Sequence, residues 1–192
     1  MIFKTATFAA LAVALMTLGG FGLMAVNNTG PENFSETMID LPDAEMQDAS
    51  SNTFRLRGDI EQDALVVINF SYTTCNSICP LGNQILQFVD VRRAEVTRPV
   101  HLLTITIDPA SDTPEKMRSA ADAFDASRNW HWLTASPAVI SDILTAADAN
   151  VTDIEFHDPI FLVGEISSGR YFRSLSMPSA DELIAMLGHF DT

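Results

Sequence analysis

The chain has only two cysteines. Cys75 and Cys79 stand in the run Phe70-Ser71-Tyr72-Thr73-Thr74-Cys75-Asn76-Ser77-Ile78-Cys79-Pro80, directly after an apolar stretch. Thiolate is the form of cysteine that attacks a disulfide or grips a soft metal. Proline is favoured at a first helical position, where its missing N–H costs nothing. Pro80 therefore predicts a helix opening beside both thiols, whose positive dipole end favours thiolate. A spacing of four brings the two sulfurs to one side of a helical turn, with Cα atoms about 6 Å apart. That separation suits a disulfide and equally suits two ligands on one soft ion. Spacing alone leaves a structural disulfide of an exported domain, a redox dithiol and a metal pair all open.

Two thiolates can hold Cu(I), and an imidazole adds a ligand that also accepts Cu(II). Of the four histidines, His101 opens a strand and is expected in a half-buried structural role. His131, between Trp130 and Trp132, is expected to pack beside them, and His189 near the terminus is expected to be solvated. His157 differs, standing in Glu155-Phe156-His157-Asp158-Pro159-Ile160, a loop just before a strand. In thioredoxin-like folds that loop lies beside the cysteine turn, and the analogy makes Pro159 a candidate for a cis peptide bond. The eight methionines show no Met-x-Met clustering. Zinc is less attractive, because two Cys and one His leave the fourth tetrahedral position unfilled. Neither a Ser-His-Asp arrangement, a Walker loop nor a Gly-rich dinucleotide turn can be read.

The elements that must position these groups alternate from Phe54 onward. Ala64 to Tyr72 and His101 to Ile107 are β-branched and apolar with little alternation, as in strands covered on both faces. A helix is expected from about Pro80 to Val96. Thr113-Pro114 and Ser136-Pro137 each read as an N-cap with proline at the first helical position. Trp132 to Thr134 is a short strand. Ile160 to Val163 and Tyr171 to Leu175 form a hairpin through Ser167-Ser168-Gly169, and Ser179-Ala180-Asp181-Glu182 is a capping box opening the last helix. The order predicts an α/β, thioredoxin-like sandwich with a central mixed sheet, its active site at the carboxyl end of a central strand.

Residues 1–26 carry one charge, Lys4, and the 22 residues after it carry none. That is enough to cross a hydrocarbon core of about 30 Å. An uncleaved transmembrane helix is expected, with a signal peptide as the competing reading, because the run exceeds the usual h-region. Positive charge before it and acidic sequence after it place the rest outside the cytoplasm. Residues 27–50 are read as an acidic linker, solvated at least in its first half, and 51–192 as the domain. The formal charge of −14 argues against nucleic acid and against an anionic lipid surface. Export exposes the cysteines to an oxidising compartment, so free thiols there need a reductant or a metal.

Four blocks together resemble the Sco/SenC copper proteins of the thioredoxin superfamily. Tyr72 to Pro80 resembles the family's YT-x-C-x-x-x-C-P signature. Thr104-Ile105-Thr106-Ile107-Asp108-Pro109, continuing to Asp112-Thr113-Pro114-Glu115, resembles its S-I-D-P-x-x-D-T-P-E block. Trp132-Leu133-Thr134 resembles its W-x-x-L-T element, with Trp130 as the other match. His157, followed by a strand, a turn and Pro178 to Leu183, resembles the C-terminal portion with its distal histidine. The resemblance implies that Cys75, Cys79 and His157 bind one copper ion and that Asp108 lies in the next shell. It further implies an extracytoplasmic, membrane-anchored protein of the periplasm or its intermembrane-space equivalent. Its role would be to deliver copper to the dinuclear centre in cytochrome c oxidase subunit II, or to act as a thiol-disulfide oxidoreductase keeping partner cysteines reduced. A thiol reductant is then a second partner. Glu155-Phe156 stands where Val-Asp is frequent before the histidine, and Asp158-Pro159 follows it; this departure bears on affinity more than on identity.

Overall fold

The computed structural model describes residues 32–191. The expected membrane segment at 1–26 lies outside them, and among the described residues no helix is long and apolar enough to cross a membrane.

The centre is built from the two strands with continuous apolar character. β4 (Leu65–Ser71) and β5 (Val100–Thr106) are buried at every position. They pair in parallel from Leu65↔Val100 to Ser71↔Thr106, and β6 (Trp130–Thr134) extends the parallel set. Strands buried on both faces need helices on both faces. α2 (Cys79–Arg92), α3 (Pro114–Ala123) and α5 (Ala180–His189) cover one side, where Leu86, Val89, Met117, Leu183 and Met186 meet Leu65, Val67 and Leu102. α1 (Leu56–Asp59) and α4 (Pro137–Ala146) cover the other, where Ile140 and Ile143 meet Val66, Ile68 and Ile105. β7 (Phe161–Gly164) and β8 (Arg170–Ser174) form the antiparallel hairpin on the far side of β4. The result is a thioredoxin-like α/β sandwich around a mixed sheet.

Helix starts follow local chemistry. Thr113 and Ser136 accept from the N–H of Lys116 and Val139, and Ser179 closes a complete capping box with Glu182. α2 ends at Arg92 and passes into a 3-10 turn at Arg93–Glu95, slightly before the expected boundary.

Four features depart from expectation. The acidic stretch contributes sheet: β1 (Phe34–Met38) pairs with β8, and β2 (Glu45–Asp48) joins β6 and β3 (Thr53–Arg55), giving the order β1-β8-β7-β4-β5-β6-β2-β3. Only one position of each added strand is buried, Phe34, Met46 and Phe54, which is too little alternation to stand out in sequence. The Pro159 peptide bond is trans, with no cis bond among the described residues. Ile160 N–H donates to the Asp158 carbonyl at 2.9 Å across Pro159, a tight turn that a trans proline's fixed φ supports. His131 does not pack beside its tryptophan neighbours, because side chains alternate along a strand. Trp130 and Trp132 face α3 and Phe124, while His131 faces Phe54 and His101. His189 is half-buried rather than solvated, edge-on to Phe172 at 5.4 Å.

Candidate metal and thiol site

β4 delivers the chain to the carboxyl end of the sheet at Ser71, and the next seven residues loop back to start α2 at Cys79. The loop is fixed from two sides. The Cys75 N–H donates to the Tyr72 carbonyl at 3.3 Å. Asp112, only 2 % exposed, accepts from the Thr73 N–H at 3.1 Å, the Thr73 hydroxyl at 2.5 Å and the Thr106 hydroxyl at 2.6 Å. One carboxylate thus joins the cysteine loop to β5 and to the turn before α3. In that block the family resemblance points to Asp108. Asp108 sits half-buried just past β5, where its Oδ1 accepts from the Ser111 N–H at 3.3 Å within its own turn. Both aspartates belong to one motif, and only the fold shows which of them reaches the loop.

Both thiols are free and buried. Cys79 occupies the first position of α2, and its backbone N–H donates to Cys75 Sγ at 3.4 Å. The sulfur of Cys75 therefore sits on an unpaired helix N-terminal donor, where negative charge is favoured. Burial opposes ionisation of Cys75, but hydrogen bonds from the Cys79 thiol, the backbone of Ser77 and Cys79 and the Ser77 hydroxyl outweigh it, bringing the pKa down to about 7. Cys79 is pushed the other way, up to about 12, first by burial and then by the neighbouring Cys75 sulfur. Of the two, Cys75 is the thiol that ionises first.

His157 completes the group from a distant segment. A short 3-10 turn, Ile154–Phe156, is opened by the Asp153 side chain accepting from the Glu155 N–H. It leaves His157 with Nδ1 at 3.1 Å from the Ile154 carbonyl and Nε2 at 3.6 Å from Cys79 Sγ. A carbonyl only accepts, so Nδ1 carries a proton, and Nε2 is the ring nitrogen turned to the sulfur, the one a metal would meet. Tyr72 meets the imidazole edge-on at 5.7 Å. Burial first, then hydrogen bonding to Cys75, raises the phenol to about 12 and keeps it neutral. Pro159, Phe161 and Met177 close the space around Cys79 and His157. As they stand, no three His, Cys, Asp or Glu side chains among the described residues converge tightly enough to clasp an ion. The Cys79–His157 pair does converge, with Cys75 linked to it through the Cys79 N–H.

Beneath the loop, Asn69 and Asn83 are buried and bond to each other at 3.0 Å, and Asn83 reaches Ser71. This polar strut between β4 and α2 carries no sequence signature.

The sequence model of the SCO1/SenC family matches residues 51–156. The chain belongs to the SCO1/SenC family. That match spans the cysteine loop and ends one residue before His157. Solved structures agree on the fold. A SCO1/SenC family lipoprotein from Bacillus anthracis has a TM-score of 0.69 at 17 % identity, covering 82 % of this chain and 98 % of that one. Bradyrhizobium japonicum ScoI, solved with copper bound, has a TM-score of 0.60 at 20 % identity, covering 76 % and 96 %. Arabidopsis thaliana ScoI, also solved with copper bound, has a TM-score of 0.64 at 15 % identity, covering 79 % and 98 %. No curated protein matches the chain.

Proposed function

We propose that this SCO1/SenC member is a membrane-tethered, extracytoplasmic copper chaperone that serves assembly of the dinuclear copper centre of cytochrome c oxidase. Cys75, Cys79 and His157 are its ligands, and copper is its cargo. The observation that carries this reading is the approach of His157 Nε2 to Cys79 Sγ at 3.6 Å, with Nδ1 held by the Ile154 carbonyl. An imidazole brought 78 residues along the chain to a buried thiol, its Nε2 turned to the sulfur, has no use in a plain disulfide. Two thiolates and one neutral imidazole are a donor set for Cu(I) that also accepts Cu(II). Binding requires the three groups to draw in around the ion and the dithiol to lose its protons. Asp108 lies at the same end of the sheet and belongs to the surrounding shell. Copper-bound relatives from Bradyrhizobium japonicum and Arabidopsis thaliana support the choice of metal.

The soluble domain, reduced and titrated anaerobically with Cu(I) and then Cu(II) against a competing chelator, is expected to take one ion per chain. His157→Ala is expected to lower Cu(II) affinity by at least about 100-fold and to remove the thiolate-to-copper charge-transfer band, leaving the cysteines able to form a disulfide. Unchanged Cu(II) binding in that variant removes His157 from the site.

A second reading rests on the asymmetry of the thiols. A cysteine brought down to about 7 beside one pushed up to about 12 is the arrangement of an attacking and a resolving thiol. In this reading Cys75 attacks a partner disulfide, Cys79 releases the partner as a dithiol, and the intramolecular disulfide is then reduced by an external thiol. Rapid reduction of a partner disulfide by a chain that binds copper weakly favours this role over the first.

A further inference from the structure

The point at which the chain enters the domain carries a consequence for how the site is presented. β1 pairs with β8 so that Phe34 lies opposite Ser174, whose hydroxyl accepts from the Phe161 N–H at 2.9 Å. Phe161 opens β7 and lies opposite Asn69 of β4. Phe34, Ser174, Phe161 and Asn69 therefore form one row across the sheet, two residues short of the end of β4. Asn33 lies beyond that row, on the side of the cysteine loop, pinned by the Leu175 N–H to its carbonyl at 2.8 Å and by Ser176 to its side chain. Three strand spacings separate β1 from β4, about 14 Å. The chain thus enters at the same end of the sheet as Cys75, Cys79 and His157.

Only seven residues, 27–33, lie between the apolar segment, 5–26, and that entry point. Fully extended they span at most about 25 Å, and as a flexible coil about 15 Å. β4 alone, with seven residues, is about 23 Å long. Inverting the domain so that its opposite end met the bilayer would demand a tether stretched almost to its limit. Charge does not draw the domain down, since a net −14 is repelled by anionic lipid. The short tether does, and Leu175, 67 % exposed beside the entry point, is an apolar side chain on that face.

We propose that the cysteine–histidine end of the sheet faces the membrane, so that metal is handed over in the layer directly above the lipid. Whatever receives the metal must then present its ligands within roughly 25 Å of the bilayer. This inference rests on the tethered reading above and adds orientation to it.

The test uses the full chain in liposomes whose lipids carry a surface acceptor dye. A fluorescent amino acid replaces Ala110, exposed on the turn beyond β5 at the site end, or Asp63, exposed before β4 at the opposite end. Transfer from position 110 is expected to exceed that from position 63 by about twofold or more, given the separation of about 23 Å along the strands. Twenty Gly/Ser residues inserted after Gly30 lengthen the coil to about 29 Å and should erase the difference. Equal or reversed efficiencies in the natural-length protein overturn the orientation while leaving the tether intact. Protein that fails to stay with the vesicles overturns the tether and this inference together. Copper titration of the soluble domain is indifferent to both, so loss of copper binding is a separate failure.

Discussion

At the scale of single residues the site is organised by unequal treatment of equal groups. Against its burial Cys75 gathers hydrogen bonds from the Cys79 thiol and the backbone of Ser77 and Cys79, while Cys79 is raised by burial and then by the neighbouring sulfur, and their pKa values part to about 7 and about 12. Alkylation of the metal-free, reduced domain should therefore titrate with a midpoint near pH 7. Modification is expected on Cys75 above that pH, with Cys79 unreactive up to pH 10, read by peptide mass. A single midpoint near the ordinary thiol value with both cysteines modified alike would contradict that order of ionisation. The loop holding Cys75 depends on another residue, Asp112. Asp112→Asn puts an NH₂ against donors that need an acceptor. We expect a loss of about 1–3 kcal/mol in urea unfolding, with faster amide exchange at Thr73 than at Ile68 in the centre of β4. Loss of stability without selective exchange at Thr73 would mean that the carboxylate does not anchor the loop.

At the scale of elements, the pairing of β5 with β6 stores a second titration, far from the chemistry. His101 lies between Glu61, at 2.6 Å, and His131, at 3.0 Å, with Phe54 over the His131 ring. Burial, then the neighbouring His101, pushes His131 from 6.5 down to about 4, against the pull of Asp48, Asp59 and Glu61. Hydrogen bonding at its own backbone, then His101, holds the Glu61 carboxyl below its ordinary value. Both shifts are downward, so the unfolded chain binds more protons in acid. The His131 contribution is full above pH 6.5 and drains away as pH falls to about 4. Unfolding free energy should fall by on the order of 2 kcal/mol between pH 7 and 4.5, after allowance for the partly exposed ring. His131→Leu should flatten that slope; an unchanged slope would place the titration elsewhere. The parallel core and its helices were legible because their signals are local: β-branched runs, Thr113-Pro114, Ser136-Pro137 and the Ser179 box. β1 and β2 were not, since a short strand with one buried side chain in an acidic stretch resembles a tether. The face taken by His131 required knowing that residues 130–134 form a strand. That His157 approaches the cysteine turn was legible through the family resemblance and not from its own loop, whereas Asp112 was hidden beside Asp108, because which carboxylate reaches Thr73 depends on a turn and not on spacing.

At the scale of the molecule, the site is a junction of the chain's separate parts. The thiols come from the start of α2, the imidazole from the loop before β7, and the carboxylate anchor from the turn before α3. A ligand gripping Cys79 and His157 together therefore ties one side of the sheet to the other. Binding to the folded state alone stabilises it by mass action, by about 4 kcal/mol at a thousandfold excess over Kd. Anaerobic Cu(I) should raise the midpoint of thermal unfolding of the reduced domain, and His157→Ala should shrink the rise. Equal gains in both proteins would indicate that the cysteines alone hold the ion.

The pairing of Phe34 with Ser174 sets an order in time. A chain made from its N-terminus presents β1 first, yet β1 has no partner until β8, some 140 residues later, has followed. β8 in turn pairs with β7, whose first residue lies four positions after His157. The sheet beside the thiols is thus finished only near the end of synthesis, after the cysteines have long since emerged. Through that interval Cys75 and Cys79 are two thiols on an open chain, exposed to whatever oxidant surrounds it. The last third of the chain buries them and brings His157 to Cys79, so the thiols are most vulnerable while the protein is being born.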